Sequence, residues 1–425
     1  MAGKLRSVKG TRDLLPPETA VWAAVEEVAR DVFDRYGYAE IRTPVLEETE
    51  LFVRGVGEAT DIVGKEMYTF ADKKGRSLTL RPESTASVAR AFVEHGMQSW
   101  PSPVKLWYVG PHFRYERPQA GRYRQFHQIG AELLGDPGPW SDAELLLMLV
   151  RFLSELGFSG LTVLLNTLGD EGARAAYRDG LRDFLRPHAE RLGEDSRRRL
   201  DSNPLRILDT KDPAERELLA GAPELADFLD DESREHFAAV RRLLDRLGVA
   251  YRVEPRLVRG LDYYTRTVFE ITAAGLGAQD AIVGGGRYDR LVADLGGPAV
   301  PGIGFAIGED RLIDVLPESF RERAARRRPV HVVAIGDVER ALVFAEELRQ
   351  AGVTAAAELS GRPLGAAMKR ADRAGARWVV LLGDEELAAG EVTIRDLGGG
   401  GQERLARAAA VERLRTAAAE GEGER

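Results

Sequence analysis

Residues Tyr108 to Glu132 read YVGPHFRYERPQAGRYRQFHQIGAE, and how this stretch folds decides how the rest of the chain is read. Two alternating runs rich in aromatics flank Arg117-Pro118-Gln119-Ala120-Gly121, whose Pro and Gly suit a loop between strands, so the spacing predicts a β-hairpin. Side chains two apart share a strand face. Arg114 and Glu116 therefore project together from the first run, and Phe126, Gln128 and Glu132 from the second. That face offers a guanidinium fork suited to a phosphate, an aromatic ring suited to a base, and carboxylate and amide groups suited to an amine or a ring nitrogen. For the charges alone, a solvated face on an ordinary antiparallel sheet is the simpler reading; Phe126 in their midst weighs against it.

The 425 residues are too many for one compact core, so two or three domains are expected. Hydrophobic and charged fractions of 44% and 30% describe an ordinary globular protein. A net charge of -8 argues against indiscriminate coating of nucleic acid, although locally clustered basic groups can still hold RNA. With no cysteine, disulfides and thiolate metal sites are excluded, and six histidines without HExxH-type spacing give no zinc signature. No resident metal is expected; any metal arrives with substrate. No run of about eighteen apolar residues occurs and the opening MAGKLRSVKG has no apolar signal core, so the cytoplasm is the expected compartment, with no membrane partner.

Along the chain, Lys9-Gly10-Thr11-Arg12-Asp13 leads into a predicted helix from about Pro17 to Tyr36, with Val21, Val25, Val28, Ala29, Val32 and Phe33 as its apolar stripe. Tyr38 to Leu46 reads as a strand carrying Pro44 at an edge or bulge. Leu78 to Ala89 reads as a strand, a proline break and a capped helix, with Glu83 and Thr85 at the helix start. An apolar helix from Asp142 to Leu156 and a strand from Leu161 to Asn166 follow. From Glu171 to about Leu247 the chain becomes rich in Arg, Glu, Asp and Leu at helical spacing, which predicts a helical insertion. Arg197, Arg198 and Arg199 within it read as solvated.

Strand pattern returns from Tyr251 to Val258, followed by Arg259-Gly260-Leu261-Asp262-Tyr263-Tyr264-Thr265-Arg266-Thr267-Val268-Phe269-Glu270. An Arg fork beside Gly and paired tyrosines suits an anion next to a flat polar ring. Core aromatics with wet tips are the commoner fate of tyrosine, and on a regular strand at most one of the pair meets a ligand. Gly284-Gly285-Gly286 and Gly302 to Arg311 do not fit a dinucleotide fingerprint; they read as sheet positions where a ligand or another backbone comes close. After a basic linker, Arg321 to Arg328, strand patterns at 330–335, 353–359, 378–382 and 392–397 alternate with helices near 338–350, 364–374 and 405–419, a small α/β domain. Arg362, Lys369, Arg370, Arg373 and Arg377 form either an RNA-facing patch or a solvated helix face.

Phe113-Arg114-Tyr115-Glu116-Arg117-Pro118-Gln119, Gly121-Arg122 and Arg124 to Gln128 together resemble the second signature motif of class II aminoacyl-tRNA synthetases, in the form found in histidyl-tRNA synthetases. Arg259 to Glu270 resembles the peptide that distinguishes that family. Gly302 to Arg311 resembles the third motif, and the first helix, strand and Pro44 the dimer-forming first. The resemblance implies an α+β catalytic domain over residues 1–325, with an antiparallel sheet flanked by helices and a helical insertion at about 171–250. It also implies an α/β anticodon-binding domain at 330–420.

The implied reaction is activation of L-histidine by ATP and transfer to the 3′ end of tRNA(His). The implied roles are Arg259 and Arg114 at the α-phosphate and carboxylate, as catalytic groups; Glu83, Thr85, Gln128, Glu132, Tyr263 and Tyr264 around histidine; and Glu116, Arg122, Phe126, Gln128 and Arg311 on ATP, with Phe126 under adenine and Arg311 on the γ-phosphate. Neutral imidazole has one donor and one acceptor, which Glu132 and Tyr264 match. Mg2+ is expected with ATP, and a homodimer is expected that does not bind DNA. Ser84 departs from the glycine more usual in the family. The competing reading is the synthetase-like regulatory subunit of ATP phosphoribosyltransferase, whose members typically lack the anticodon domain and erode the second histidine-specific stretch.

Overall fold

A computed structural model describes residues 5–57, 60–116, 122–208, 210, 212–273, 281–325 and 329–423. The chain divides into two compact units, one of Met1–Leu15 and Trp22–Pro317, the other of Pro16–Val21 and Glu318–Arg425. In the first, eight strands make one sheet: β1 Ala39–Glu40, β2 Val104–Phe113, β3 Gln125–Leu134, β4 Thr162–Thr167, β5 Tyr251–Val253, β6 Thr265–Thr272, β7 Ala281–Tyr288 and β8 Gly302–Gly308. Their order is β1-β2-β3-β8-β7-β6-β4-β5. The interior pairs are antiparallel, and only the outermost pairs, β1 with β2 and β4 with β5, run parallel.

The predicted hairpin forms: β2 and β3 pair from Val104↔Leu134 to Phe113↔Gln125, and the Arg114 N–H continues the ladder to the Arg124 carbonyl. Its tip, residues 117–121, lies outside the described residues.

The helices that matter for the site are α1 Glu18–Arg35, α2 Thr85–Glu94, α3 Pro139–Glu155, α4 Glu171–Leu185, α5 Asp231–Leu247 and α6 Glu309–Asp314. Phe33 of α1 meets Trp107, Phe305 and Phe152 at ring distances of 5.7, 5.9 and 5.4 Å, so α1 and α3 seal one face of the sheet. Burying each such ring stabilises by roughly 1.5–3 kcal/mol. Under that face Arg287 and Asp142 are fully buried as a pair. Arg287 also donates to the carbonyls of Asp136 and Gly138, and His236 of α5 sits 2.8 Å from the Asp142 carboxylate. Burial pushes the Asp142 carboxyl up, but the Arg287 charge and the bonds from His236 and Arg287 hold it below the ordinary range.

Two local expectations are corrected. The strand expected over Tyr38 to Leu46 is broken: β1 is two residues long, and Leu46–Glu48 joins a separate three-stranded sheet with Ser77–Leu80 and Tyr68–Ala71. Pro44 has no N–H to offer a ladder and disfavours helix at the residue before it, so the chain switches sheets there. The strand expected to run to Val258 stops at Val253, just ahead of Pro255. Between β4 and β5 the predicted helical insertion forms around an apolar core of Tyr177, Leu181, Leu185, Leu200 and Leu218 that it shares with Tyr264 and Val268.

The second unit has a five-stranded sheet. Val330–Ala334, Ala355–Ala357 and Trp378–Leu382 are parallel; Glu391–Asp396 and Gln402–Ala406 add on antiparallel. The helix expected from about Leu405 begins at Arg407 and spans Arg407–Gly423, because Gln402–Ala406 forms a strand for which no expectation stood. The strand's sequence QERLA alternates half-buried and exposed side chains, a polar edge strand without a β-branched residue. The expected basic linker is helical over Glu318–Ala325, and 326–328 lie outside the described residues. Arg370 and Arg377 have acidic neighbours the sequence did not reveal, Glu358 at 3.5 Å and Asp396 at 4.0 Å. Among the described residues, no helix is long and apolar enough to cross a membrane.

Candidate active site

The open face of the large sheet is paved with glycine. One row across it aligns Leu106, Glu132, Gly304, Gly286 and Val268; the next aligns Tyr108, Gly130, Ala306, Gly284 and Glu270; the third, Gly110, Gln128 and Gly308. A Cβ on Gly304 would stand 1.7 Å from Glu132 Oε2, one on Gly284 2.0 Å from Arg259 Nη2, and one on Gly286 2.9 Å from Tyr264 Cδ1. The glycines predicted to mark close approach are thus the floor on which the polar groups lie.

Glu132 is the buried centre. Thr85 Oγ1 donates to its Oε1 at 2.8 Å, Tyr108 reaches the same oxygen at 3.3 Å, and Tyr288 donates to Oε2 at 2.6 Å. Burial outweighs these bonds and pushes its carboxyl up to about 8. Glu83 accepts the N–H groups of Thr85 at 2.8 Å and Ala86 at 2.9 Å, so it caps α2 and still stands beside Thr85. Burial raises its carboxyl as well, against those bonds. Ser84 adopts φ -115°, ψ -13°, which any residue can take, so the absent glycine leaves the turn intact; its Oγ lies 2.7 Å from His112 Nε2. Burial holds His112 neutral.

Beside this centre lies a cavity of about 260 Å³ whose walls include Arg114, Glu116, Arg259, Tyr264, Arg206, Asp61 and Glu66. Arg114 is braced by its Nε donating to the Pro82 carbonyl at 3.0 Å, and its guanidinium lies 5.3 Å from the Phe126 ring. Arg259 pairs with Glu270 through Nη1. Arg122 reaches Glu116 at 3.6 Å. Arg206 comes from the insertion and pairs with Asp61 at 3.3 Å. Burial, then the charge of Glu116, pushes the Glu66 carboxyl up. Among the described residues, no set of three or more acidic or histidine side chains is arranged to hold a metal.

Arg114, Glu116, Arg259 and Tyr264 therefore share one cavity, while Glu83, Thr85 and Glu132 are joined by hydrogen bonds next to it. Tyr264 lines this cavity, while Tyr263 packs against Tyr264 and lines a different cavity. They precede β6 in an irregular turn, so strand alternation does not separate them: their rings lie 4.6 Å apart, and Tyr263 is 5.7 Å from Tyr288. Gln128 is nearly buried, and among the described residues its Oε1 has no hydrogen-bond partner. Such an orphaned acceptor calls for a donor from outside the protein. Gly308, which ends β8, pairs with Gln128, and Arg311 follows in the first turn of α6, on the sheet and outside the cavity wall.

Sequence reasoning missed Tyr108, Tyr288 and Arg206. The first two had a signal: Tyr108 is two residues before Gly110, and Tyr288 two after Gly286, so period-2 alternation puts them on the glycine face. Arg206 had none.

A family model described as histidyl-tRNA synthetase matches residues 10–312, and one described as an anticodon binding domain matches 329–417. The chain belongs to the histidyl-tRNA synthetase family. It is 54% identical over 409 residues to the histidine-tRNA ligase of Desulforudis audaxviator, covering 96% of this chain and 97% of that one. To the histidine-tRNA ligase of Synechococcus elongatus it is 50% identical, covering 94% and 92%. The crystal structure of apo histidyl-tRNA synthetase from S. aureus superposes with a TM-score of 0.78 at 35% identity, covering 97% of this chain and all of that one. Near-full-length likeness to ligases supports the synthetase reading over the regulatory-subunit alternative.

Proposed function

We propose that this chain is a histidine-tRNA ligase: it joins L-histidine to ATP as histidyl-adenylate, releasing pyrophosphate, and passes the histidyl group to the 3′-hydroxyl of tRNA(His). The observation that carries this reading is the convergence of Arg114, Arg259 and Tyr264 on one cavity adjoining the Glu132–Thr85–Glu83 cluster.

Attack of a carboxylate on the α-phosphorus needs alignment and charge neutralisation more than covalent help from the protein. Arg259 and Arg114 supply two guanidinium groups to the phosphate as charge develops, in a site where neighbouring strands hold them. Glu132 accepts from one imidazole nitrogen and Tyr264 donates to the other. Gln128 Oε1, with Thr85 and Glu83, receives the α-ammonium. Phe126, already under the Arg114 guanidinium, stacks on adenine, while Glu116, Arg122 and Arg311 complete the nucleotide site. Mg2+ enters bound to the β- and γ-phosphates as part of the substrate. An apolar analogue would offer Glu132 and Tyr264 nothing in place of the two imidazole nitrogens, which makes it a poor substrate. The C-terminal unit reads the anticodon, and the enzyme works as a cytoplasmic homodimer, for which the resemblance of α1 and the Pro44 segment to the first motif is the support.

The test is pyrophosphate exchange with the purified chain. Exchange should require histidine; ATP binding without any histidine-dependent exchange would rule the reading out and favour a regulatory role.

A further inference from the structure

The peptide carrying Arg259, Tyr263 and Tyr264 has no ladder of its own, because β5 ends at Val253 and β6 begins at Thr265. Arg259 pairs with Glu270 and the Asp262 N–H donates to the Val56 carbonyl at 3.4 Å; the other groups that hold the tyrosine turn come from the helical insertion. Arg174, in the first turn of α4, donates through Nη1 to the carbonyl oxygens of Asp262, at 2.9 Å, and of Tyr264, the two that flank Tyr263. Asn203 donates to the Asp262 carboxylate at 2.9 Å. Arg174, Asp262, Tyr263 and Thr265 also line, with Arg290, a polar cavity of about 230 Å³, so the tyrosine turn is not packed on all sides and the Arg174 bonds are made at its edge.

We propose that Arg174 is a positioning residue for the amino-acid pocket: from the insertion it fixes the carbonyls on either side of Tyr263, and so sets both tyrosine rings against each other and against Tyr288. The inference rests on the reading of this peptide as part of the histidine site. One guanidinium nitrogen holding the carbonyls on both sides of Tyr263 restricts the peptide between them, and charge-assisted bonds are the stronger kind. The insertion is then part of how the amino acid is selected, besides anything it does with RNA.

Full-length Arg174→Ala and Arg174→Lys should be compared with wild type in histidine-dependent pyrophosphate exchange. Arg174→Ala should raise the KM for histidine about tenfold or more and leave the KM for ATP within about twofold. Arg174→Lys, which keeps the charge and a donor nitrogen on a shorter side chain, should recover part of the loss. Glu215→Gln supplies the control for damage to the insertion as a whole, since Glu215 accepts from Gly193 N and Ser196 Oγ far from this peptide along the chain; it should lower Tm without moving the KM for histidine. An unchanged KM for histidine in Arg174→Ala, an equal rise for both substrates, or the same effect from Glu215→Gln would each overturn the proposal. If Arg174→Ala fails to fold, Asn203→Ala carries the same expectation at smaller size, and an unchanged value there overturns it. A wild-type protein without histidine-dependent exchange would instead refute the ligase reading itself.

Discussion

Gly304 faces Glu132 across paired strands so closely that a single added carbon would stand 1.7 Å from the carboxylate and 2.8 Å from the Ala131 carbonyl. The second contact is backbone, so the neighbour cannot simply swing away. Gly304→Ala should displace Glu132, cost about 1–3 kcal/mol of stability from overpacking, and raise the KM for histidine more than that for ATP. Urea unfolding and pyrophosphate exchange on the same sample measure both effects.

Glu132 itself links pH to stability and to binding. Its folded value of about 8 lies above the ordinary 4.5. Below 4.5 the carboxyl is protonated folded or unfolded and its contribution is fully present. Between 4.5 and about 8 the folded state keeps a proton the unfolded state has lost, so stability falls as pH rises, by a few kcal/mol in all. Glu132→Gln should flatten that part of the stability profile. Because the ionised carboxylate holds the imidazole N–H more strongly than the neutral acid does, histidine binding at pH 7 should release part of a proton. Calorimetry in buffers of different ionisation enthalpy reads this release, and its persistence in Glu132→Gln would exclude Glu132 as the source.

Arg259 lies over Gly284, where a Cβ would meet its Nη2 at 2.0 Å. Arg259→Ala should lower kcat for activation by about 10²-fold or more with a smaller change in histidine affinity. Gly284→Ala, which leaves the arginine in place but moves its tip, should reproduce part of that loss while Tm stays near wild type. Equal losses in kcat and histidine affinity would contradict a role confined to the transition state.

Asp142 and Arg287 are both fully enclosed, with His236 on the outer carboxylate oxygen. Removing Asp142 leaves the enclosed Arg287 with only the partly exposed Asp289, at 3.4 Å, so Asp142→Ala should destabilise by about 3–5 kcal/mol. The double change Asp142→Leu with Arg287→Met should cost less than either single change, because no unpaired charge remains. Denaturant midpoints for the three variants make the comparison.

The hairpin, the long first helix and the strand-to-helix step at Gly308 were legible because period 2, period 3.6 and glycine placement are local signals, and Arg114, Phe126, Gln128 and Glu132 lie on or directly beside the hairpin strands. Groups that reach the site from elsewhere in sequence were not legible. Arg206 and Arg174 look like any other arginine of a charged helical stretch until folding brings them against Gly260 and Tyr264, 54 and 90 residues away along the chain. Pro44 was legible as a disturbance, though not as the point where the chain changes sheets. Gln402–Ala406 escaped because a charged edge strand lacks the composition by which strands are recognised.

The insertion leaves the sheet after Thr167 and returns at Tyr251, and the two strands it joins lie side by side in the same direction. Neighbours that run parallel cannot be linked by a tight turn; the chain must travel back the full length of the strand before it can start again. The segment is therefore also the return path that the sheet's edge needs. A shortened enzyme would have to keep at least one spanning helix, with α5 the natural choice, since it already lies along α3 and delivers the chain to β5.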